Sequence, residues 1–210
     1  MSTSRAIVAT SVDASIYHRF MDAGFRRSGL MLYQPVCIGC RECQQIRVPT
    51  HSFMPSKAQR RSIRRNADLK VEVIEPTPTR EKFELYQRYV MNWHRHEKPS
   101  TWEEYSDFLY QYPSTSIEFI YRLEGAVIAA GLCDVCEVSL SSVYFYFEPQ
   151  WSSRSLGTFG ALVEIDWAAS HNIPHYYLGY LVRDCSAMSY KTNFRPYELL
   201  GMDGTWRSGH

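Results

Sequence analysis

The stretch from residue 117 to residue 181 constrains the fold most. It reads as three short β-rich runs (117–123, 126–136 and 142–147), a turn at Arg154-Ser155-Leu156-Gly157-Thr158, an amphipathic helix over 159–169 and a strand over 175–181. Aromatic and β-branched runs bounded by turn residues are strand signals. Glu124-Gly125 suits the tight turn of a hairpin, and Glu148-Pro149 ends the third run. A strand, a glycine-containing loop, a helix and a second strand together place backbone N–H groups at a helix start, where phosphate oxygens bind well. The N-terminal third reads differently. A helix over 12–23 is closed by Gly24, a strand lies around 30–33, and Ser56 caps a basic helix that leads to a strand over 69–74. Pro76-Thr77-Pro78-Thr79 is the clearest punctuation and divides 1–75 from 76–210. Thr79 then caps a helix over 81–94, and another follows near 102–110. The expected class is α+β.

With 210 residues and 45% hydrophobic content, the chain can bury a substantial core. Its net charge of +1 hides an asymmetry, because Lys57, Arg60, Arg61, Arg64, Arg65 and Lys70 crowd into fourteen residues against Asp68 alone. On a helix 60/64 and 61/65 stack on adjacent faces. The result is a positive stripe suited to phosphates, with the salt dependence that counterion release brings. No apolar stretch approaches the ~20 residues of a membrane span. The first residues lack the apolar core of a secretion signal, so a cytoplasmic location is expected. In a reducing compartment the six cysteines serve metal binding, catalysis or burial rather than disulfides. Cys133, Cys136 and Cys185 read as structural. Cys37, Cys40 and Cys43 pack three thiols into seven residues and can converge on one ion, although a closed zinc site needs a fourth ligand, for which His51 is a candidate. A metal-free thiol cluster is the other reading. His94 and His96 end a helix two residues apart, which does not place them on one face.

Many blocks of this chain resemble, in order, the aminoacyl-tRNA–protein transferases of the N-end rule, which comprise arginyltransferases and bacterial leucyltransferases. In the N-terminal half they are Phe25-Arg26-Arg27-Ser28-Gly29, Tyr33-Gln34-Pro35-Val36-Cys37 with Cys40 and Cys43, Arg47-Val48, Phe53 to Arg61, and Arg65-Asn66. In the C-terminal half they are Tyr144 to Pro149, Arg154 to Thr158, Tyr177 to Tyr180, Met188 to Lys191, and Phe194 to Pro196. The resemblance implies an acetyltransferase-like (GNAT-related) C-terminal domain and a small cysteine-containing α/β N-terminal domain. It also implies a further cysteine-bearing N-terminal segment, whereas this chain has no cysteine before Cys37. The eukaryotic branch adds an iron–sulfur cluster to zinc as a candidate at the cysteine loop.

The reaction so implied joins the α-amine of an acceptor protein beginning with Asp or Glu to the amino acid esterified on tRNA, leucine or arginine, with leucine favoured by the compact C-terminal half. An activated ester needs juxtaposition, deprotonation of the ammonium and stabilisation of an oxyanion, and no cofactor. The turn Arg154-x-x-Gly157-x-Phe159 resembles the pyrophosphate loop of acetyltransferases. Arg154, Ser155, Gly157 and Thr158 therefore join Lys57, Arg60, Arg61, Arg64 and Arg65 as tRNA-binding candidates, with Gly160 also allowing close approach of backbone to ligand. Tyr144, Tyr146, Tyr177 and Tyr180 are candidates for stacking terminal bases. Arg26, Arg27, Arg47 and Arg195 are candidates for the acceptor carboxylate. Glu148, Tyr180, Asp184 and Lys191 are the catalytic candidates. Two alternatives stand beside this reading. One is a coenzyme A-dependent acetyltransferase, which Phe159 in place of the usual small residue would crowd. The other is a non-catalytic, metal-bound tRNA-binding protein.

Overall fold

The structure, a computed structural model, describes residues 3–93 and 98–209. His94 and His96 therefore lie outside the described residues. The chain opens with strand β1 (Ser4–Val8), helix α1 (Ala14–Asp22), and strands β2 (Arg26–Ser28) and β3 (Met31–Pro35). The Asp13 carboxylate caps α1 by accepting from the Ser15 N–H at 2.8 Å. Gly24, at φ +85°, takes the left-handed conformation that turns the chain out of the helix. The three strands form a small antiparallel sheet in the order β1-β3-β2. Tyr17, Met21, Phe25 and Leu32 pack beneath it against Cys136 and Tyr177 of the main body.

Next come strand β4 (Gln44–Pro49), helix α2 (Lys57–Arg65), strand β5 (Lys70–Ile74), and helices α3 (Arg80–Asn92) and α4 (Trp102–Tyr110). Strands β6 (Ser116–Leu123), β7 (Ala126–Cys136) and β8 (Ser139–Phe147) precede helix α5 (Leu156–Ser170) and strand β9 (His175–Leu181). The chain closes with a short helix α6 (Ser186–Ser189) and strands β10 (Glu198–Leu200) and β11 (Trp206–Ser208). Eight strands make one sheet in the order β11-β10-β4-β9-β8-β7-β6-β5, antiparallel throughout except between β8 and β9. The division at residue 75 does not divide this sheet, because β4 and β5 both hydrogen-bond into it. No helix among the described residues is long and apolar enough to cross a membrane.

Successive residues of a strand face opposite sides of a sheet, and β9 uses both. Tyr176 meets Glu164 of α5 on one side, while Tyr177 meets Asp22 of α1 on the other. Helix α5 starts three residues before the expected 159, and Leu156, Phe159, Ala161, Leu162, Glu164, Ile165 and Ala168 are all buried. It is thus more enclosed than a single amphipathic stripe implies, since it sits between β8 and β9 and under α2.

The one parallel pairing is short. Ser139, Leu140 and Ser141 pair with His175, Tyr176 and Tyr177, and beyond them β8 and β9 part. Each strand carries a bulge at the parting. In β8, Tyr144 pairs with Leu132 and Ser142 with Cys133, which leaves Val143 extra. In β9, Gly179 pairs with Ile46 and Tyr177 with Arg47, which leaves Leu178 extra. A bulge bends its strand and increases its twist. Two of them at the same level hold the strands apart, and Gly179 at φ +89° makes the second feasible.

Candidate active site

The parting of the strands leaves a cavity on the α5 face of the sheet and two desolvated cations on the α1 face. Arg26 is 6% exposed; its Nη1 donates to Ser141 Oγ at 2.6 Å, and its Nη2 donates to the Ser142 carbonyl. Lys191 projects from the 3-10 turn Tyr190–Asn193, and its Nζ donates to the Tyr180 carbonyl at 2.6 Å. Burial, and then the neighbouring Arg26 guanidinium, hold the Lys191 ammonium down to about 8. A Cβ placed on Gly179 would stand 3.6 Å from Lys191 Nζ and 3.7 Å from Arg26 Nε, so the strand leaves the space between the cations free. No carboxylate is paired with either among the described residues. Two desolvated cations without a counter-charge are a candidate site for an anion.

On the α5 face the gap meets a helix start. Ser155 adopts the left-handed conformation, φ 57° and ψ 45°, and its hydroxyl caps nothing, so the first N–H groups of α5 are left to an outside acceptor. A cavity of about 110 Å³ runs from Gly157 along Ala161 to Glu164, walled by Phe145, Phe147 and Leu178.

Several residues singled out from the sequence have other work. Arg27 is committed to a buried two-point ion pair with Asp134, at 2.7 and 2.8 Å, and does not face open space. Arg47 donates to Glu198 at 2.7 Å, to Asp22 at 3.1 Å and to the Tyr177 hydroxyl at 3.0 Å, while stacking on Trp206 at 4.0 Å. It stitches β4 to α1, β10 and β11 rather than meeting an acceptor. The Tyr180 hydroxyl points away from the gap and donates to the Gly24 carbonyl at 2.6 Å, which removes it as an oxyanion donor. Glu148 accepts from Arg88 at 2.7 Å, and Asp184 and Arg195 are exposed. Tyr146 and Tyr177 are fully buried and closed to a stacking base.

Arg154 pairs with both oxygens of Asp68, at 2.8 and 2.9 Å, and its carbonyl accepts from Asn66 at 2.9 Å. It pins the end of α2 beside the start of α5 and is not a free phosphate ligand. Ser155, Gly157 and Thr158 do stand at that start. Gly160 is small for a different reason than ligand access, since a Cβ there would lie 2.2 Å from the Phe145 ring. Phe159 is buried against Tyr121 at 5.9 Å, so it points into the core and would crowd no diphosphate. Helix α2 buries Gln59, Ser62 and Asn66 and exposes Lys57, Arg60, Arg61, Arg64 and Arg65. Ser56 and Gln59 form the reciprocal capping box that starts it.

Cys37, Cys40 and Cys43 line one side of a cleft of about 380 Å³ with Arg5, Arg41 and Glu42. The Cys37 thiol accepts from the Thr3 N–H at 3.2 Å. His51 follows β4 while Cys43 precedes it, which separates them by about 20 Å along an extended strand, so His51 is not a fourth ligand. No group of three or more His, Cys, Asp or Glu side chains among the described residues is arranged to hold a metal ion. Three thiols are one donor short of the four that a closed zinc site or an iron–sulfur cluster takes. Cys133 and Cys136 are buried in β7, as expected of structural thiols.

Glu164 and Ser141 were not singled out from the sequence. Glu164 had a signal, being the acidic residue in the apolar run Leu156–Ser170 that ends up 1% exposed, whereas Asp166 two positions later is exposed. The role of Ser141 depends on strand parting, for which no local pattern exists.

A parted parallel strand pair with a helix start at its mouth is the architecture of the GNAT-like fold. The fold is similar to the C-terminal DUF2156 domain of an Agrobacterium fabrum protein, with TM-score 0.59 and 15% identity over 97% of this chain and 65% of that one. It is similar also to L-PGS from Bacillus licheniformis, with TM-score 0.52 and 14% identity over 92% and 62%. A tandem GNAT protein of clavulanic acid biosynthesis matches at TM-score 0.51 and 9% identity over 92% and 59%. The chain belongs to the arginine-tRNA-protein transferase family, whose N-terminal profile matches residues 2–61 and whose C-terminal profile matches residues 81–201. Aspartate/glutamate leucyltransferase of Pseudomonas putida is 40% identical over 191 residues, covering 90% of this chain and 81% of that protein. The Hahella chejuensis protein of the same name is 36% identical over 194 residues, covering 91% and 83%.

Proposed function

We propose that this chain transfers leucine from leucyl-tRNA to the α-amine of proteins beginning with Asp or Glu. The observation that carries the reading is the parting of β8 and β9, with the desolvated cations Arg26 and Lys191 on one face and the start of α5 on the other. The leucyltransferase name of relatives up to 40% identical supports the donor. The acceptor enters from the cationic face, and its side-chain carboxylate takes the place left between Arg26 and Lys191. The same cations disfavour a nearby ammonium, which releases the neutral amine that attack requires. A free α-amine titrates near 8, close to Lys191, so in the molecules where Lys191 is neutral, with Arg26 holding the carboxylate alone, proton transfer to the lysine is nearly balanced.

The amine nitrogen bonds to the ester carbonyl carbon, the bond from that carbon to the ribose oxygen breaks, and an amide forms. The ammonium proton passes to Lys191 or water, and the ribose hydroxyl recovers one proton as it leaves. The 3′ end of the tRNA reaches the gap at the start of α5, and the exposed basic face of α2, tied to that start through Arg154 and Asp68, carries phosphates further along. Purified protein mixed with radiolabelled leucyl- or arginyl-tRNA and model proteins beginning Asp, Glu, Cys or Ala tests the reading. Label is expected in the Asp and Glu acceptors from leucyl-tRNA. Tight tRNA binding without transfer to any acceptor would overturn it in favour of a binding protein.

A further inference from the structure

The cavity on the α5 face has dimensions and chemistry of its own. At about 110 Å³ it falls below the roughly 300–1,000 Å³ of sites that enclose a whole small molecule, so it takes one side chain. Its walls are Phe145, Phe147 and Leu178, and one edge is Gly157 in the first turn of α5. From Gly157 to Glu164 the helix rises about 10 Å, leading inward from the phosphate end. The inner end is the Glu164 carboxyl, 1% exposed. Its Oε2 accepts from the Tyr176 hydroxyl, and its Oε1 is buried, with the Cys133 and Ser142 side chains as the carboxyl's other polar neighbours. Strand β7 makes room for it, since a Cβ on Gly131 would come within 2.5 Å of Oε1.

Resting on the leucyl-transfer reading above, we infer that this cavity holds the side chain of the esterified amino acid, and that Glu164 at its end sets the choice between an aliphatic and a cationic donor. The polar groups facing the carboxyl are Tyr176 of β9, Cys133 of β7, Ser142 of β8, Tyr121 of β6 and Tyr190 of the turn. No ion pair among the described residues includes it. Burial pushes the carboxyl up to about 7, with the Tyr176, Cys133 and Ser142 side chains pulling the other way. While protonated it closes an apolar cavity without burying a charge, and a leucyl isobutyl group fits. Once ionised it repels that group and becomes a partner for a guanidinium.

The test is a donor competition in one tube, with leucyl-, phenylalanyl- and arginyl-tRNA carrying different labels and one Asp-initiated acceptor. Ratios between donors do not depend on the fraction of enzyme that is folded, nor on steps common to all donors. Leu178→Ala widens the cavity and is expected to shift the phenylalanyl-to-leucyl ratio upward tenfold or more, within the ~10–200-fold that a small change in a hydrophobic pocket gives. The leucyl-to-arginyl ratio of the unaltered protein is expected to fall about tenfold between pH 6 and pH 8.5 and to stay flat in Glu164→Gln. Ratios that move with neither substitution nor pH would overturn the inference while leaving leucyl transfer intact. Loss of transfer from every donor in a Glu164→Gln protein that unfolds at the same temperature as the parent would also overturn it, by putting the carboxylate in the chemistry. No transfer from any donor by the unaltered protein would instead sink the leucyl-transfer reading itself.

Discussion

Arg27 and Asp134 face each other fork to fork in the interior, Nε to Oδ2 at 2.7 Å and Nη2 to Oδ1 at 2.8 Å, with both side chains 1% exposed. Ser116 Oγ donates to the same carboxylate at 2.6 Å, and the Tyr17 hydroxyl donates beside it. The cluster fastens β2 of the small sheet and α1 to β7 of the main one. Removing the acid strands a buried guanidinium, which costs about 3–5 kcal/mol. Asp134→Ala is therefore expected to lower the urea midpoint by that equivalent, while the molecules that remain folded keep their KM for acceptor. A denaturation curve unchanged by the substitution would show that the pair does not fasten the two sheets.

Arg26, the neighbour of Arg27 in sequence, faces the opposite side of β2 and has hydroxyl and carbonyl partners but no acid. Its positive charge is free for substrate. Arg26→Gln keeps a donor for Ser141 and loses the charge, so kcat/KM for Asp- and Glu-initiated acceptors is expected to fall thirtyfold or more, the equivalent of about 2–5 kcal/mol for a buried charge pair. Residual transfer to Ala-initiated acceptors should be unaffected. Equal losses on all acceptors would place Arg26 in the framework of the gap and not in acceptor selection.

On the proposed reaction, Lys191 sets the pH dependence of transfer. Its ammonium is held down to about 8, against an ordinary 10.5, by burial and then by Arg26. Below pH 8 it is protonated and takes up no proton; above it, it can. The expected profile of kcat/KM for one acceptor therefore rises with pH and levels off above about 8. Lys191→Arg, protonated across the whole range, should retain the cationic charge but lose that limb, with kcat falling more than KM changes. The sign for stability is the same. The unfolded chain binds the Lys191 proton up to a higher pH than the folded one, so this residue destabilises the fold below pH 8, and the penalty fades as pH rises toward 10.5.

Much of the fold is local enough to read from the chain. The Thr79 cap, the Ser56–Gln59 box, the Glu124-Gly125 turn and strands β7 and β9 follow from patterns within a few residues of one another. What could not be read depends on distant partners. Strand β4 looks like the tail of a cysteine loop until β9 and β10 close on it. The two bulges that part β8 from β9 exist only relative to the strands beside them. The same holds for charges. Arg26, Arg27 and Arg47 are alike in sequence, and only the presence of Asp134 beside one, and of Asp22 and Glu198 beside another, separates the framework cations from the one without an acid. Phe159 shows the reverse error. Its position in the turn suggested a blocked diphosphate, yet the helix begins earlier and rotates the ring inward.

Helix α2 presents its arginines to solvent while Gln59, Ser62 and Asn66 hold the other side, so substitutions on the outer face separate binding from folding. Arg60 and Arg65 each donate to a nearby carbonyl, of Pro55 and Ser153. Arg61 and Arg64 are exposed and stand in no ion pair of the described residues. Arg61→Gln together with Arg64→Gln should therefore leave thermal unfolding within about 0.5 kcal/mol of the parent. Each duplex phosphate no longer neutralised lowers the slope of log affinity against log salt by about 0.9. Two lost contacts should make the slope for leucyl-tRNA shallower by about 1.8, raise KM for leucyl-tRNA at low salt, and leave kcat at saturating tRNA unchanged. Filter binding across 50–200 mM salt, a range over which such contacts dominate, reads the slope directly. An unchanged slope would mean that the acceptor stem approaches the start of α5 from the side away from α2.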